Sequence, residues 1–193
     1  MTLDDIDWKL ITELQSDGRK TFKALGEKIG FTSLGAKKRV DKLLKQGIIN
    51  VSALVNTDAL DLCLALILLE IENADAMRKI IERYNKCPRV INVFTTMGGY
   101  NLIALVMAED QTTLESESVE RCALRSGEGI RRSEFYLIGK VHHTPFLPLK
   151  VDALSGKEDI TPCGVKCDCC VSFKNNECVG CPTLSYYRGP LKR

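Results

Sequence analysis

Histidine is almost missing from this chain: there are two, and they are adjacent, His142 and His143. No nucleophile motif accompanies them, so no catalytic constellation is visible, because acid–base and nucleophilic chemistry need a base brought to a reacting group. Long hydrophobic runs are missing too. The longest, Leu62 to Leu69, ends after eight residues at Glu70, far short of the ~20 a membrane-spanning helix needs. An excess of charge is likewise absent. The net formal charge is only +2 over 193 residues, so a strongly charged partner has to be met by a local cluster and not by the chain as a whole. That length suits one large or two small domains.

Such a cluster is present near the start. Thr2 to Ser16 carries Asp4, Asp5 and Asp7 at its beginning, favourable at a positive helix end, and Leu3, Ile6, Leu10, Ile11 and Leu14 on one face. Thr21 is placed to cap a second helix with Phe22, Leu25 and Ile29 inward, ended by Gly30. Phe31-Thr32-Ser33 makes a short turn, Thr32 or Ser33 capping a third helix over Leu34 to Gln46. Ala36, Val40, Leu43 and Leu44 face its core; Lys37, Lys38, Arg39, Lys42 and Lys45 face out against a single Asp41. From Ser33 to Lys45 that is five cations less one anion, +4. A tight turn leading into a capped basic helix predicts a helix-turn-helix with a major-groove reader, although a solvated basic face is the plainer alternative.

Leu3-Asp4-Asp5-Ile6-Asp7-Trp8-Lys9-Leu10-Ile11, Leu14 to Arg19, and Lys38-Arg39-Val40-Asp41-Lys42-Leu43 running into Gln46-Gly47-Ile48-Ile49 resemble the opening of the Lrp/AsnC family of prokaryotic transcription regulators. The resemblance implies double-stranded DNA as partner. Lys37, Lys38, Lys42 and Arg19 are expected at phosphates. Thr32, Ser33, Leu34 and Gly35, at the start of the reading helix, and Arg39 complete the expected contact set.

The middle of the chain alternates strands and helices. Leu62 to Ile71 reads as a buried strand, and Ala74 to Lys86 as a helix with Met77, Ile80, Ile81 and Tyr84 inward. Val90 to Met97 and Tyr100 to Ala108 read as strands joined by a two-residue Gly98-Gly99 hairpin. Thr112 to Leu124 is a weaker helix and Glu134 to Val141 a last strand. The β-α-β-β-α-β order predicts a ferredoxin-like unit whose open sheet face pairs with a second copy. In the Lrp/AsnC family this is the effector and oligomerisation domain, which implies a homodimer, or a tetramer or octamer built from it. The family's small-molecule effector, often an amino acid, binds near a Gly-x-Tyr-Asp segment. Here the segment is Gly98-Gly99-Tyr100-Asn101, and an amide replaces the carboxylate that would pair with a ligand ammonium.

Cysteine, by contrast, is abundant: nine residues, of which Cys63, Cys87 and Cys122 are scattered and read as buried thiols. The rest crowd between Cys163 and Cys181, and contain Cys167-x2-Cys170 and Cys178-x2-Cys181. Two such elbows place four thiolates round one tetrahedral point, the pattern of a structural zinc. Cys163 and Cys169 are surplus to zinc and keep an iron–sulfur cluster or Cu(I) open, and a redox-active thiol set after these. Disulfides are disfavoured, since no secretory leader is read and a DNA-binding regulator works in a reducing cytoplasm. Some archaeal Lrp-like regulators carry a C-terminal cysteine module of the TRASH type; the architecture is similar, the spacing is not. His142 and His143 read as exposed strand-end residues.

The expected fold class is therefore α+β: an N-terminal winged helix-turn-helix (1–50), a wing strand and hinge (51–60), a ferredoxin-like βαββαβ domain of the RAM type (61–143), a linker (144–162) and a small cysteine-rich metal-binding module (163–193). The expected function is sequence-specific transcription regulation, responsive to metal or redox state through the tail, with no membrane association. The competing expectation is a metal-handling or storage protein that uses the N-terminal helices as a scaffold.

Overall fold

The computed structural model describes residues 2–191; the first residue of the DNA-binding segment and the last two of the tail lie outside them. The chain divides into two compact units, 1–53 and 54–193.

In the first unit, α1 (Asp5–Ser16) starts at a capping box, Asp4 accepting from the Asp7 N–H at 2.8 Å and Asp7 from the Asp4 N–H at 3.4 Å. α2 (Phe22–Ile29) is capped by Thr21 and stopped by Gly30 in the left-handed region at φ 73°. α3 (Ser33–Lys45) is capped by Thr32, which accepts from Gly35 N at 3.1 Å. Past α3, Ile48 N reaches back to Leu43 O while Gly47 takes a positive φ, so the helix closes in a Schellman turn. Leu10, Leu25, Ala36 and Val40 form the core. Leu44, expected inward, is 39% exposed: it lies past the point where α3 leaves α1 and α2. Gly26 allows the tight turn, because a Cβ there would stand 2.6 Å from Phe31 O.

The second unit is built on β2 (Cys63–Ile71), which lies between β4 (Leu102–Ala108) and β5 (Ile130–Ile138), with β3 (Val90–Thr95) outside β4. All pairings are antiparallel. The alternate residues Ala65, Ile67, Leu69 and Ile71 pack with α4 (Ala74–Tyr84) and α5 (Gln111–Val119) in the main core. The opposite face carries Leu66 level with Leu105 and Tyr136, and Leu68 level with Ile103. These are half-buried or exposed. The order is that of a ferredoxin-like sheet.

Three expectations change here. β5 begins at Ile130, not Glu134, because Arg131 and Arg132 sit on an edge strand, where charge is tolerated. The β3–β4 connection is longer than two residues: Thr96 N bonds Asn101 O at 3.1 Å, and neither Gly98 nor Gly99 has the positive φ a two-residue turn demands. The strand after the DNA-binding helices, β1 (Val55–Asn56), pairs with β6 (Phe146–Leu147) of its own unit.

The tail is not a separate module. Residues 144–162, expected as a linker, contain β6 and a 3-10 turn at Val151–Ala153, and residues 163–191 pack on the ferredoxin-like layer. Leu184 and Phe173 are buried, with Cys167 beside them. Ser116 donates to Glu177 O at 3.1 Å, Ser172 to Glu120 at 2.7 Å, and Tyr187 to Glu109 at 2.5 Å. Arg89 lies at the centre of this seam, donating to Glu117, to Glu109 at 2.5 Å and to Gly180 O at 2.6 Å.

Candidate nucleic-acid interface and thiol-lined cavity

Along α3 the sequence-predicted cations separate into two groups. Lys37, Lys38 and Lys42 are exposed and make no ion pair among the described residues. Ser33 and Leu34 open the helix, exposed, beside the tight turn. Gly35 lies 3.2 Å (as an added Cβ) from the Phe31 ring, so its lack of a side chain lets Phe31 fold over the helix start. The Thr32 hydroxyl is committed to the cap. Arg19 extends into solvent, its side chain 94% exposed, with a loose 3.4 Å pairing to Asp17. A helix N-terminus flanked by free ammonium groups suits a phosphate-lined groove.

Arg39 is the correction. It does not face out: its guanidinium donates to Asp4 at 2.7 Å and to buried Asp7 at 2.8 Å, and lies 5.3 Å over the Phe31 ring. Position 39 is three residues round from Ala36, on the flank where α3 meets the start of α1, so a long cation there finds the acidic helix cap. Arg39 holds the reading helix against α1 and is not available to DNA as it stands.

The segment Gly98-Gly99-Tyr100-Asn101 has a structural use for its amide. Asn101 Oδ1 accepts from Ile71 N at 2.8 Å and its Nδ2 donates to Ile71 O at 2.7 Å, matching both halves of a backbone unit at the end of β2. A carboxylate could satisfy only the first. Arg132 stacks 5.1 Å from the Tyr100 ring. Burial, with Glu134 nearby, pushes the Tyr100 hydroxyl up to about 12.

The cysteines give the second site. All nine are free thiols. Cys167, Cys170, Cys178 and Cys181 line one cavity of about 680 Å³ between the tail and the helix layer, together with Cys163. Cys169 is exposed, its thiol turned to Lys166 O at 3.2 Å. Among the described residues no three Cys, His, Asp or Glu side chains stand close enough to hold one metal ion. Burial pushes the Cys87 and Cys167 thiols up to about 12 and raises Cys122, Cys178 and Cys181. Burial also raises Cys170, with Glu120 adding to it. Groups held neutral in this way are not reactive thiolates. His142 and His143 are exposed and do not line the cavity.

Residues 3–44 match the family model of the AsnC-type helix-turn-helix domain. The HTH-type transcriptional regulator Rv2324 of Mycobacterium tuberculosis is 30% identical over 134 residues, 68% of this chain and 88% of that protein. The chain belongs to the Lrp/AsnC family of transcriptional regulators. Like the family it is a DNA-binding regulator and not an enzyme. The HTH-type transcriptional regulator FL11 of Pyrococcus furiosus is 28% identical over 151 residues, 77% of this chain and 97% of FL11, so about a quarter of this chain has no counterpart there. Among solved structures, the transcriptional regulator NMB0573 of Neisseria meningitidis, in complex with L-Met, superposes with a TM-score of 0.66 at 25% identity, covering 77% of this chain and 98% of that one. AsnC of E. coli shares the fold, with a TM-score of 0.65 at 18% identity over 75% of this chain and 98% of its own. Among the described residues no helix is long and apolar enough to cross a membrane.

Proposed function

We propose that this regulator reads its operator with the start of α3 and takes its signal as a metal held by the tail thiols. Ser33, Leu34 and Gly35 stand where base edges are reached, and Lys37, Lys38, Lys42 and Arg19 hold phosphates. Two copies join through the open sheet face, as a homodimer from which tetramers or octamers are built. The regulator works in the cytoplasm, where thiols stay reduced. Zinc on Cys167, Cys170, Cys178 and Cys181 is the assignment that the two cysteine elbows favour; an iron–sulfur cluster or Cu(I) is the other occupant of the same donors. The observation that carries the metal reading is that both elbows fold back onto one cavity.

An amino-acid signal has weaker support. NMB0573 was solved with L-Met, but here the Asn101 amide is spent on Ile71, and a ligand ammonium would have to find another anion.

The test couples both halves. Operator binding is measured against salt for the wild type and for Lys37→Ala/Lys38→Ala/Lys42→Ala. The variant is expected to flatten the dependence of log K on log salt by about 0.9 per lost phosphate contact. Chelation is expected to change wild-type operator affinity. An unchanged salt slope rejects this face of α3, and affinity indifferent to chelation rejects the metal signal.

A further inference from the structure

The thiols are grouped in a way their spacing in sequence does not announce. Cys87, just past α4, and Cys122, just past α5, belong to the ferredoxin-like layer, yet they line the same cavity as Cys163, Cys167, Cys178 and Cys181 of the tail. The grouping runs across the seam between the helix layer and the tail. Cys169 and Cys170 line the cavity as well, Cys169 exposed with its thiol on Lys166 O and Cys170 beside Glu120, whereas Cys63 does not.

Size and spacing argue about the occupant. A tetrathiolate zinc, with bonds of about 2.3 Å, draws its sulfurs to within roughly 4 Å of each other, whereas among the described residues no three donors are grouped so as to hold one ion. A cavity of about 680 Å³ is also far larger than one ion fills. Thiols spread round the wall of such a space suit a core of several metals joined by sulfide, with the cysteines at its periphery. A second observation points the same way. Arg89 lines the cavity with its side chain only 6% exposed, and its Nε–H is buried without an acceptor. Donors aimed at cluster sulfurs are one means by which a protein tunes such a centre.

We propose that Cys87 and Cys122 join the tail thiols as ligands of one iron–sulfur cluster held between the ferredoxin-like layer and the tail, with Arg89 Nε–H donating to a cluster sulfur. Each ligating thiol releases a proton to solvent as its sulfur bonds iron. This rests on the metal reading of the tail and changes two things in it: the ligand set and the kind of metal centre. It also makes the cluster a clamp between the tail and the ferredoxin-like layer.

The full chain, purified without oxygen, is assayed for iron, acid-labile sulfide and zinc, and its visible spectrum is recorded. The wild type is expected to hold iron and sulfide in like amounts with broad visible absorption. Cys87→Ser/Cys122→Ser is expected to lose most of both while keeping its far-UV circular dichroism, and to bind the operator with the affinity of the chelated wild type; Cys63→Ser keeps the cluster. A single zinc per chain, lost in Cys167→Ser/Cys178→Ser but kept in Cys87→Ser/Cys122→Ser, overturns the shared cluster and leaves the tail metal standing. No metal in any of these proteins overturns both. Full iron in Cys87→Ser/Cys122→Ser removes the two domain thiols from the ligand set. Should that variant fail to fold, the wild type decides. Alkylation mapped by mass spectrometry is expected to reach Cys87 and Cys122 only after iron is chelated, and reactivity unchanged by chelation overturns the proposal.

Discussion

Arg39 of the reading helix donates to Asp7 of the first helix at 2.8 Å, and Asp7 is buried, its side chain 7% exposed. The same guanidinium also holds Asp4, the cap of that helix, at 2.7 Å. The orientation of α3 and the start of α1 are therefore set by one cation. Arg39→Ala leaves the Asp7 carboxylate enclosed without its partner, at a cost on the order of 1–3 kcal/mol. A lower unfolding midpoint in urea is expected, unlike for the three-lysine variant. An unchanged midpoint would mean that the pairing contributes nothing to the fold.

The same contact has a pH signature. The Asp4 carboxyl is held below its ordinary 3.8, first by the Asp7 N–H and then by Arg39. A depressed carboxylate stabilises the folded unit above the unfolded-state value, and that stability is lost as pH falls through the lower folded value. Acid unfolding followed by circular dichroism is expected to begin at higher pH in Asp4→Asn than in the wild type, and coincident curves would refute the assignment.

Much of this was legible in the residues, and the exceptions have causes. Capping Thr21 and Thr32, the stop at Gly30 and the return of apolar residues to one face of each helix act within a few residues, so the helix-turn-helix could be read directly. The unbroken apolar run from Leu62 to Leu69 likewise marked the central strand. The inward turn of Arg39 is not legible in sequence because its partners lie 32 and 35 positions away. Nothing local separates it from Lys38. In sequence the tail reads as an isolated module, because its few apolar residues count as a core only once the ferredoxin-like layer is beneath them. Cys87 and Cys122 read as bystanders for the same reason: proximity across a seam leaves no spacing to read.

The open sheet face gives a prediction about assembly. Leu66 stands level with Leu105 and Tyr136, half-buried in the single chain. If a second copy covers this face, Leu66→Lys places a charge at the centre of an apolar interface, where an unpaired ion is strongly disfavoured. Sedimentation at micromolar concentration is expected to show dimer or larger for the wild type and monomer for the variant. A variant that sediments like the wild type would move the interface elsewhere.

Asn101 clasps both halves of the Ile71 backbone unit at the end of β2. Asn101→Asp keeps the acceptor for Ile71 N but turns the Nδ2 donor into an oxygen facing Ile71 O. The loss is expected to be about 1–3 kcal/mol at neutral pH. It should shrink in acid, once the new carboxyl is protonated and can donate. Stability compared at neutral and acidic pH checks both signs, and a variant as stable as the wild type at neutral pH would show that the clasp is dispensable.

The last prediction concerns what fastens the tail when no metal is bound. Arg89 is enclosed, with Glu109 at 1% side-chain exposure and Glu117 at 17%, and it reaches across to Gly180 O at 2.6 Å. Burial pushes the Glu117 carboxyl up to about 7 even against the pull of Arg89, so without this cation the acid would sit higher still. Glu109 is bound in turn by the Tyr187 hydroxyl. Replacing Arg89 with Leu removes the tail's tie at Gly180 and strands two carboxyl groups in an apolar seam, a change that costs about 3–5 kcal/mol where a buried pair is broken. The helix-turn-helix, a separate compact unit, should be untouched. Limited proteolysis of Arg89→Leu is therefore expected to cut within residues 150–191 while 2–53 survives, and operator binding by the N-terminal unit should persist. Equal protease resistance of the tail in the wild type and Arg89→Leu, both stripped of metal, would show that apolar packing around Leu184 and Phe173 holds the tail without the buried charge.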